Sequence, residues 1–280
     1  MPSKLLRTLA LCSLIFSSCQ SNTEKQEAEA PVQEQQPLTF RSETVTRQSG
    51  LCGQNADGCA TAEVKAITAE GGAQSLRDSL NTFMAQQLLQ MQMGQDPDQE
   101  VQQSGNPAVT LAETFIRDQE EYLADLEGEV PATAAWTLNV AVNPIYQSDR
   151  FVTLRQEYSS YTGGAHGNSY FSLQTFDRQG NRVHLTEMVT DTTQLLQLAE
   201  REVRRKYDFP EGQSLTEAGL FVEDEKLPLP QEAGLTDKGL LLLYNSYEIG
   251  PYSMGMTEVT LPYAQIGNLL KPIYKPEQAK

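Results

Sequence analysis

FVTLRQEYSSYTGGAHGNSYFSLQTF, Phe151–Phe176, reads as a strand, a glycine-rich turn and a second strand. Val152, Leu154 and Tyr158 share one face of the first strand, and Ser169–Phe176 continues as the next. YTGGAHGN, Tyr161–Asn168, lies between them. A phosphate-cradling loop would lead into a helix and carry a Lys-Ser/Thr pair; here a strand follows and no such pair is present. Gly163 and Gly164 can take positive φ where the chain reverses, and His166 can hold the turn through backbone groups. An exposed histidine between tyrosines also suits a recognition tip, so both roles stand for this loop.

Working outward, AAWTLNVAVN gives a half-buried strand, with Trp136, Leu138, Val140 and Val142 alternating. Two helices precede it. Ser75–Met93 repeats Leu76, Leu80, Phe83, Met84, Leu88 and Met91 at helical steps, and Ala108–Leu126 repeats Leu111, Phe115, Tyr122 and Leu126. Thr39–Gln48 and Ala60–Ala69 read as a β-hairpin around LCGQNADGCA. Cys52 and Cys59 flank turn-forming residues, and in an oxidising compartment they pair. A two-cysteine metal site is the rival, but further ligands are lacking nearby.

Downstream, His184–Met188 reads as one helical turn. Asp191 caps a helix that buries Leu196, Ala199, Val203 and Tyr207. The stretch from PEGQSL to LPLPQEAG reads as connector. Gly239–Tyr247 is a buried strand, Glu258–Leu261 another, and Tyr263–Leu270 a closing helix. The order ββααβββ, then αββα, predicts an α+β fold of antiparallel β-sheets covered by helices, in two α+β subdomains.

The N-terminus, MPSKLLRTLALCSLIFSSCQ, carries Lys4 and Arg7 before an apolar run of signal-peptide length, Leu9–Phe16. With Ser17, Ser18 and Cys19 it resembles a bacterial lipoprotein signal, which implies cleavage before Cys19 and lipidation there. An ordinary secretory signal is the alternative, and both export the chain. Gln20–Pro37 is too poor in bulky apolar residues to offset the entropy of ordering it, and reads as a tether. The expected layout is a signal over 1–18, a lipidated tether over 19–38, domains over 39–178 and 179–275, and a tail over 276–280.

The formal charge is -16, and loss of residues 1–18 removes Lys4 and Arg7 and no acid, giving -18. Such a field repels nucleic acid and favours basic partners. Only two histidines are present, no H-E-x-x-H occurs, and no serine sits in G-x-S-x-G. No catalytic residue, metal ligand or cofactor is assigned. A carboxylate pair acting on a glycan stays open, but 37 acids leave the choice arbitrary.

Y-x-x-Y-T-G-G-A-H-G at Tyr158–Gly167 and YNSYEIGPYSMGMTEVTLPY at Tyr244–Tyr263 resemble the two signatures of the RsiV-like extracytoplasmic domain pair. That pair occurs in RsiV-type anti-sigma factors, in PdaC-type peptidoglycan deacetylases and in envelope lipoproteins. The resemblance covers residues 40–272 and implies an exported α+β domain pair. It also implies a partner such as lysozyme, which RsiV-like domains bind, or peptidoglycan. The recognition residues expected are Tyr161, Gly163, Gly164, His166 and Asn168, with Tyr247, Tyr252, Ser253 and Met254. RsiV-type signalling needs a cytoplasmic segment and a spanning helix, and PdaC-type catalysis needs a separate metal-binding domain; neither is read here. Three functions follow: a binding module, an accessory envelope lipoprotein, or a glycan enzyme. The two signatures are expected to meet on one exposed rim.

Overall fold

The computed structural model describes residues 36–54, 56–93 and 105–276. The signal, Cys19 and the tether up to residue 35 lie outside them. These described residues form one compact unit.

The first six strands are β1 (Thr39–Gln48), β2 (Thr61–Glu70), β3 (Thr137–Gln147), β4 (Phe151–Tyr161), β5 (Asn168–Asp177) and β6 (Arg182–Val183). They form one sheet in sequence order. Every pairing in it is antiparallel except β2–β3, which is parallel. The exception follows from the crossover: α1 (Gln74–Met93) and α2 (Pro107–Ala124) carry the chain back to the end of the sheet where β2 began. Alternation along one strand does not reveal its neighbour's direction, so an all-antiparallel expectation misses this pair.

α1 buries the face its spacing marks; α2 does so only through Leu111 and Phe115, since the helix ends at Ala124, with Tyr122 exposed and Leu126 beyond its end. Leu76, Leu80, Phe83 and Met84 of α1 pack on Ile67, Val142, Val152, Leu154 and Phe176. Leu111, Ala112 and Phe115 of α2 pack on Val45, Val64, Leu138 and Val140. Asn106 caps α2 by accepting from Ala108 N at 3.0 Å, and Pro107 follows where its missing N–H costs nothing.

The second sheet is antiparallel: β7 (Glu232–Leu235), β8 (Gly239–Tyr244) and β9 (Thr257–Pro262). All of β8 is buried, as its unbroken apolar run requires, because it is covered on both faces. Leu241 and Leu243 meet Leu173 of β5 on one side. On the other, Leu240, Leu242 and Tyr244 meet Leu195, Ala199 and Val203 of α4 (Thr192–Lys206). Asp191 caps α4 by accepting from Gln194 N at 2.9 Å.

Three local expectations change. β7 lies in the stretch read as connector. Its Gly234 sits so close to the first sheet that a Cβ would meet Thr153 Cγ2 at 2.7 Å, and Leu235 N donates to Thr175 Oγ1. The buried strand stops at Tyr244, where a turn begins. The closing helix shrinks to α5 (Tyr263–Ile266), after which Leu270 bridges to Val189 next to α3 (Leu185–Met188). Among the described residues, no helix is long and apolar enough to cross a membrane.

Candidate functional site

The disulfide Cys52–Cys59 closes the β1–β2 loop. The β4–β5 loop lies at the same end of the sheet, because Thr61 pairs with Thr137 and Thr137 with Tyr161. Its glycines are required by geometry. Gly163 and Gly164 have φ of +96° and +88°. A Cβ on Gly167 would lie 2.6 Å from Ser160 O. Tyr161 crosses the loop and donates its hydroxyl to Gly164 O at 3.1 Å.

The second signature comes to this loop. Asn245 follows β8, and its amide copies a strand neighbour: Nδ2 donates to Phe171 O at 2.9 Å and Oδ1 accepts from Phe171 N at 2.8 Å. Glu248 closes the turn, accepting from Asn245 N and Gln231 N, both at 2.9 Å. Tyr247 tops the turn at φ +71°, a left-handed conformation that a bulky side chain rarely adopts. It is 56 % exposed. The 3-10 turn Tyr252–Met254 then places Tyr252 against the first signature.

His166 and Tyr252 stack at 3.8 Å between ring centroids, tilted by 17°. The Tyr252 hydroxyl donates to Gly167 O at 2.9 Å, and the same carbonyl lies 2.9 Å from His166 Nδ1. Tyr247 completes the row, 5.8 Å from Tyr252. Thus two segments 85 residues apart share one rim, with His166 and Tyr247 exposed. Asn168 and Ser253 are exposed beside it, while Met254 packs against the core of the second sheet, its Sδ over Gly250. Sequence reading passes over three neighbours. Thr133 O lies 3.0 Å from where a Gly163 Cβ would stand. Asn245 anchors the turn. Phe221, 52 % exposed, donates its backbone N–H to Ile249 O. Thr133 and Phe221 lie outside both signatures, and Asn245 lies within the second without being singled out.

Carboxylates also gather nearby. Burial pushes both Glu232 and Glu248 above the ordinary carboxyl range. Their oxygens, however, are engaged as clips. Glu232 accepts from the Tyr170 hydroxyl and from Leu173 N, each at 2.7 Å, and Glu248 holds its two backbone amides. Glu232 thus ties β7 to β5, and Glu248 ties the Tyr247 turn to the residue before β7. Among the described residues, no group of three or more His, Cys, Asp or Glu could hold a metal ion.

Comparison with known proteins fits this division. Residues 59–169 match the family described as deacetylase PdaC, and residues 186–264 match DUF3298, a family described as of unknown function. His166 falls in the first stretch and Tyr252 in the second. A DUF3298 family member from Bacteroides fragilis superposes with a TM-score of 0.67 at 20% identity, over 85% of this chain and 96% of that one. A DUF3298 family protein from Pseudomonas aeruginosa gives 0.60 at 18% identity, over 87% and 99%. At such identities the likeness is one of fold. The chain matches no curated protein. The chain thus carries a PdaC-type extracytoplasmic domain followed by a DUF3298 domain, and the first of these suggests an exported protein.

Proposed function

We infer that the chain is a lipid-anchored envelope protein acting as a non-catalytic binding module. Its recognition surface is the aromatic rim where the two signatures meet. The observation that carries this reading is the His166–Tyr252 stack with Tyr247 held outward beside it. Rings fixed in place lose little entropy when a partner covers them, which is the property of an anchor residue.

The partner that fits is a basic protein, with a lysozyme-like muramidase as the sharpest case and cell-wall material as the broader one. The net charge of -16 favours fast capture of a cationic surface. Acidic segments also border the rim along the chain. Glu120, Glu121, Asp125, Glu127 and Glu129 lead into Thr133, and Glu223–Glu225 follow Phe221. Cys19, lipidated, would hold the module at a membrane, on the periplasmic or surface face of an outer membrane.

The test is binding of the chain from Ser21 onward to lysozyme and to peptidoglycan fragments, at low salt and at about 0.15 M ionic strength. The expected result is saturable binding that survives the higher salt and weakens about tenfold in Tyr247→Ala and His166→Ala. Binding that vanishes with salt, or ignores both substitutions, would leave only nonspecific charge attraction. For the anchor, Cys19→Ser is expected to release the protein from membranes; retention would refute lipidation.

A further inference from the structure

Away from the rim, a cleft of about 340 Å³ opens between α1 and the strands β5, β6 and β7. A second depression of about 330 Å³ lies on the other side of Phe83 and Arg182, which line both. Together they form one groove along α1, divided by a fixed ridge. Arg182 sits over the Phe83 ring, 5.0 Å from its centroid, and donates Nε to Gln174 Oε1 at 2.8 Å. Gln174 is itself pinned by donating to Thr175 O and Val183 O. Among the described residues, the terminal guanidinium nitrogens have no protein acceptor.

The lining is unusual for a folding by-product. Ser172 is only 7 % exposed and lines the cleft, yet its hydroxyl makes no hydrogen bond to a described residue. Beside it in register, on the same face, Gln156 is 3 % exposed and its Oε1 is buried without a partner. Gln156 does not itself line the cleft; the hydroxyl that opens into it without a partner in the fold is that of Ser172, a group free to meet a ligand. Across from Ser172, α1 contributes the amides of Gln87 and Gln90, and β5 the half-exposed Tyr170 ring.

The geometry points to a neutral, extended oligosaccharide as the ligand of this groove. Amides and hydroxyls that both donate and accept are matched by sugar hydroxyls, which do the same. The Tyr170 ring offers a flat apolar surface for a pyranose face. Charge argues against ionic ligands. Arg182 at the shared ridge repels cations. Glu232 in the wall and the net charge of -16 disfavour anions. Two depressions along α1, one on each side of the ridge, suit a chain of sugars over a single ring. None of the expected rim residues lines this cleft, although Gln231 in its wall is held by Glu248 of the Tyr247 turn.

The full chain should be titrated calorimetrically with two neutral tetrasaccharides, chitotetraose and cellotetraose, and with anionic tetragalacturonate. Saturable binding of at least one neutral chain is expected, with tetragalacturonate weaker. Loss of one well-placed hydrogen bond should weaken binding about tenfold, in Arg182→Ala and in Gln87→Ala alike. Gln87→Ala keeps a good helix former, so it remains informative if Arg182→Ala folds poorly. Failure of both neutral chains to saturate, stronger binding of the anionic one, or indifference to Arg182→Ala and Gln87→Ala would each overturn the assignment.

Discussion

Two loops stand side by side at one end of the six-stranded sheet and are closed by different means. The β1–β2 loop is closed by Cys52–Cys59, seven residues apart. The β4–β5 loop is closed by glycine geometry and by Tyr252, whose hydroxyl reaches Gly167 O from 85 residues downstream. A local bond holds its loop whatever the rest of the chain does. A long-range ring stack holds its loop only while the second sheet is docked. The first loop is therefore a fixed support, and the second reports on the joining of the two domains. Gln119 ties the support to that report: it donates to Gly58 O at 2.9 Å and to Ala134 O at 3.0 Å, next to Thr133 and Gly163.

The contrast can be broken at several points. Gly167→Ala should have the largest effect, about 3 kcal/mol of lost stability, since a methyl group 2.6 Å from Ser160 O forces the hairpin apart. Chemical denaturation measures it; a change below about 1 kcal/mol would show that the loop relaxes freely. Cys52→Ser with Cys59→Ser should cost about 2 kcal/mol, the entropy of a short closed loop, and should leave rim binding intact. Reductant added during a thermal melt should reproduce the shift in the parent and not in the variant. Tyr252→Phe keeps the ring stack and removes the hydroxyl, so about 1 kcal/mol should be lost. Unlike the disulfide change, it should also weaken partner binding.

The smallest effect concerns pH. Burial raises the Glu248 carboxyl above its ordinary value of 4.5. A raised folded value means that its contribution to stability is full below the ordinary value and is lost as pH rises through the raised one. Glu248→Gln cannot ionise. Its melting temperature should therefore gain on the parent's as pH rises across that window, from an initial deficit due to the altered clip. A difference independent of pH would mean that the group is not desolvated in solution.

What the sequence makes legible follows the same division between local and distant. Hairpins, helix faces and the cap at Asp191 are recorded within a few residues, and they can be read. The β2–β3 pairing is not, because a crossover of two helices separates partners that carry no mark of each other. β7 escapes because Glu232–Leu235 owes its strand to pairing with β8 and to its seat on the first sheet, with Gly234 against Thr153 of β4 and Glu232 accepting from Leu173 N of β5. At the rim, the two signatures announce their residues, and even their meeting can be anticipated from composition. The left-handed backbone of Tyr247 and the Asn245 clamp cannot, since both depend on where β8 lands against Phe171. The α1 groove is invisible for a related reason: Ser172 looks like any strand serine until its hydroxyl is found facing a cleft.

Arg150, between β3 and β4, donates to the carbonyls of Ile273 and Lys275, 123 and 125 residues further on. Lys271 N in turn donates to Met188 O. These contacts close a large circuit of chain, and loops of that size form late because their ends must find each other by diffusion. The first sheet and its helices can assemble while the segment beyond Leu270 is still unbound. The fold is then fastened by residues 271–275, so a chain cut after Leu270 should collapse normally and unfold too readily. The segment beyond Leu270 thus acts as a latch that belongs to neither sheet and holds the turn before β4 to the end of α3.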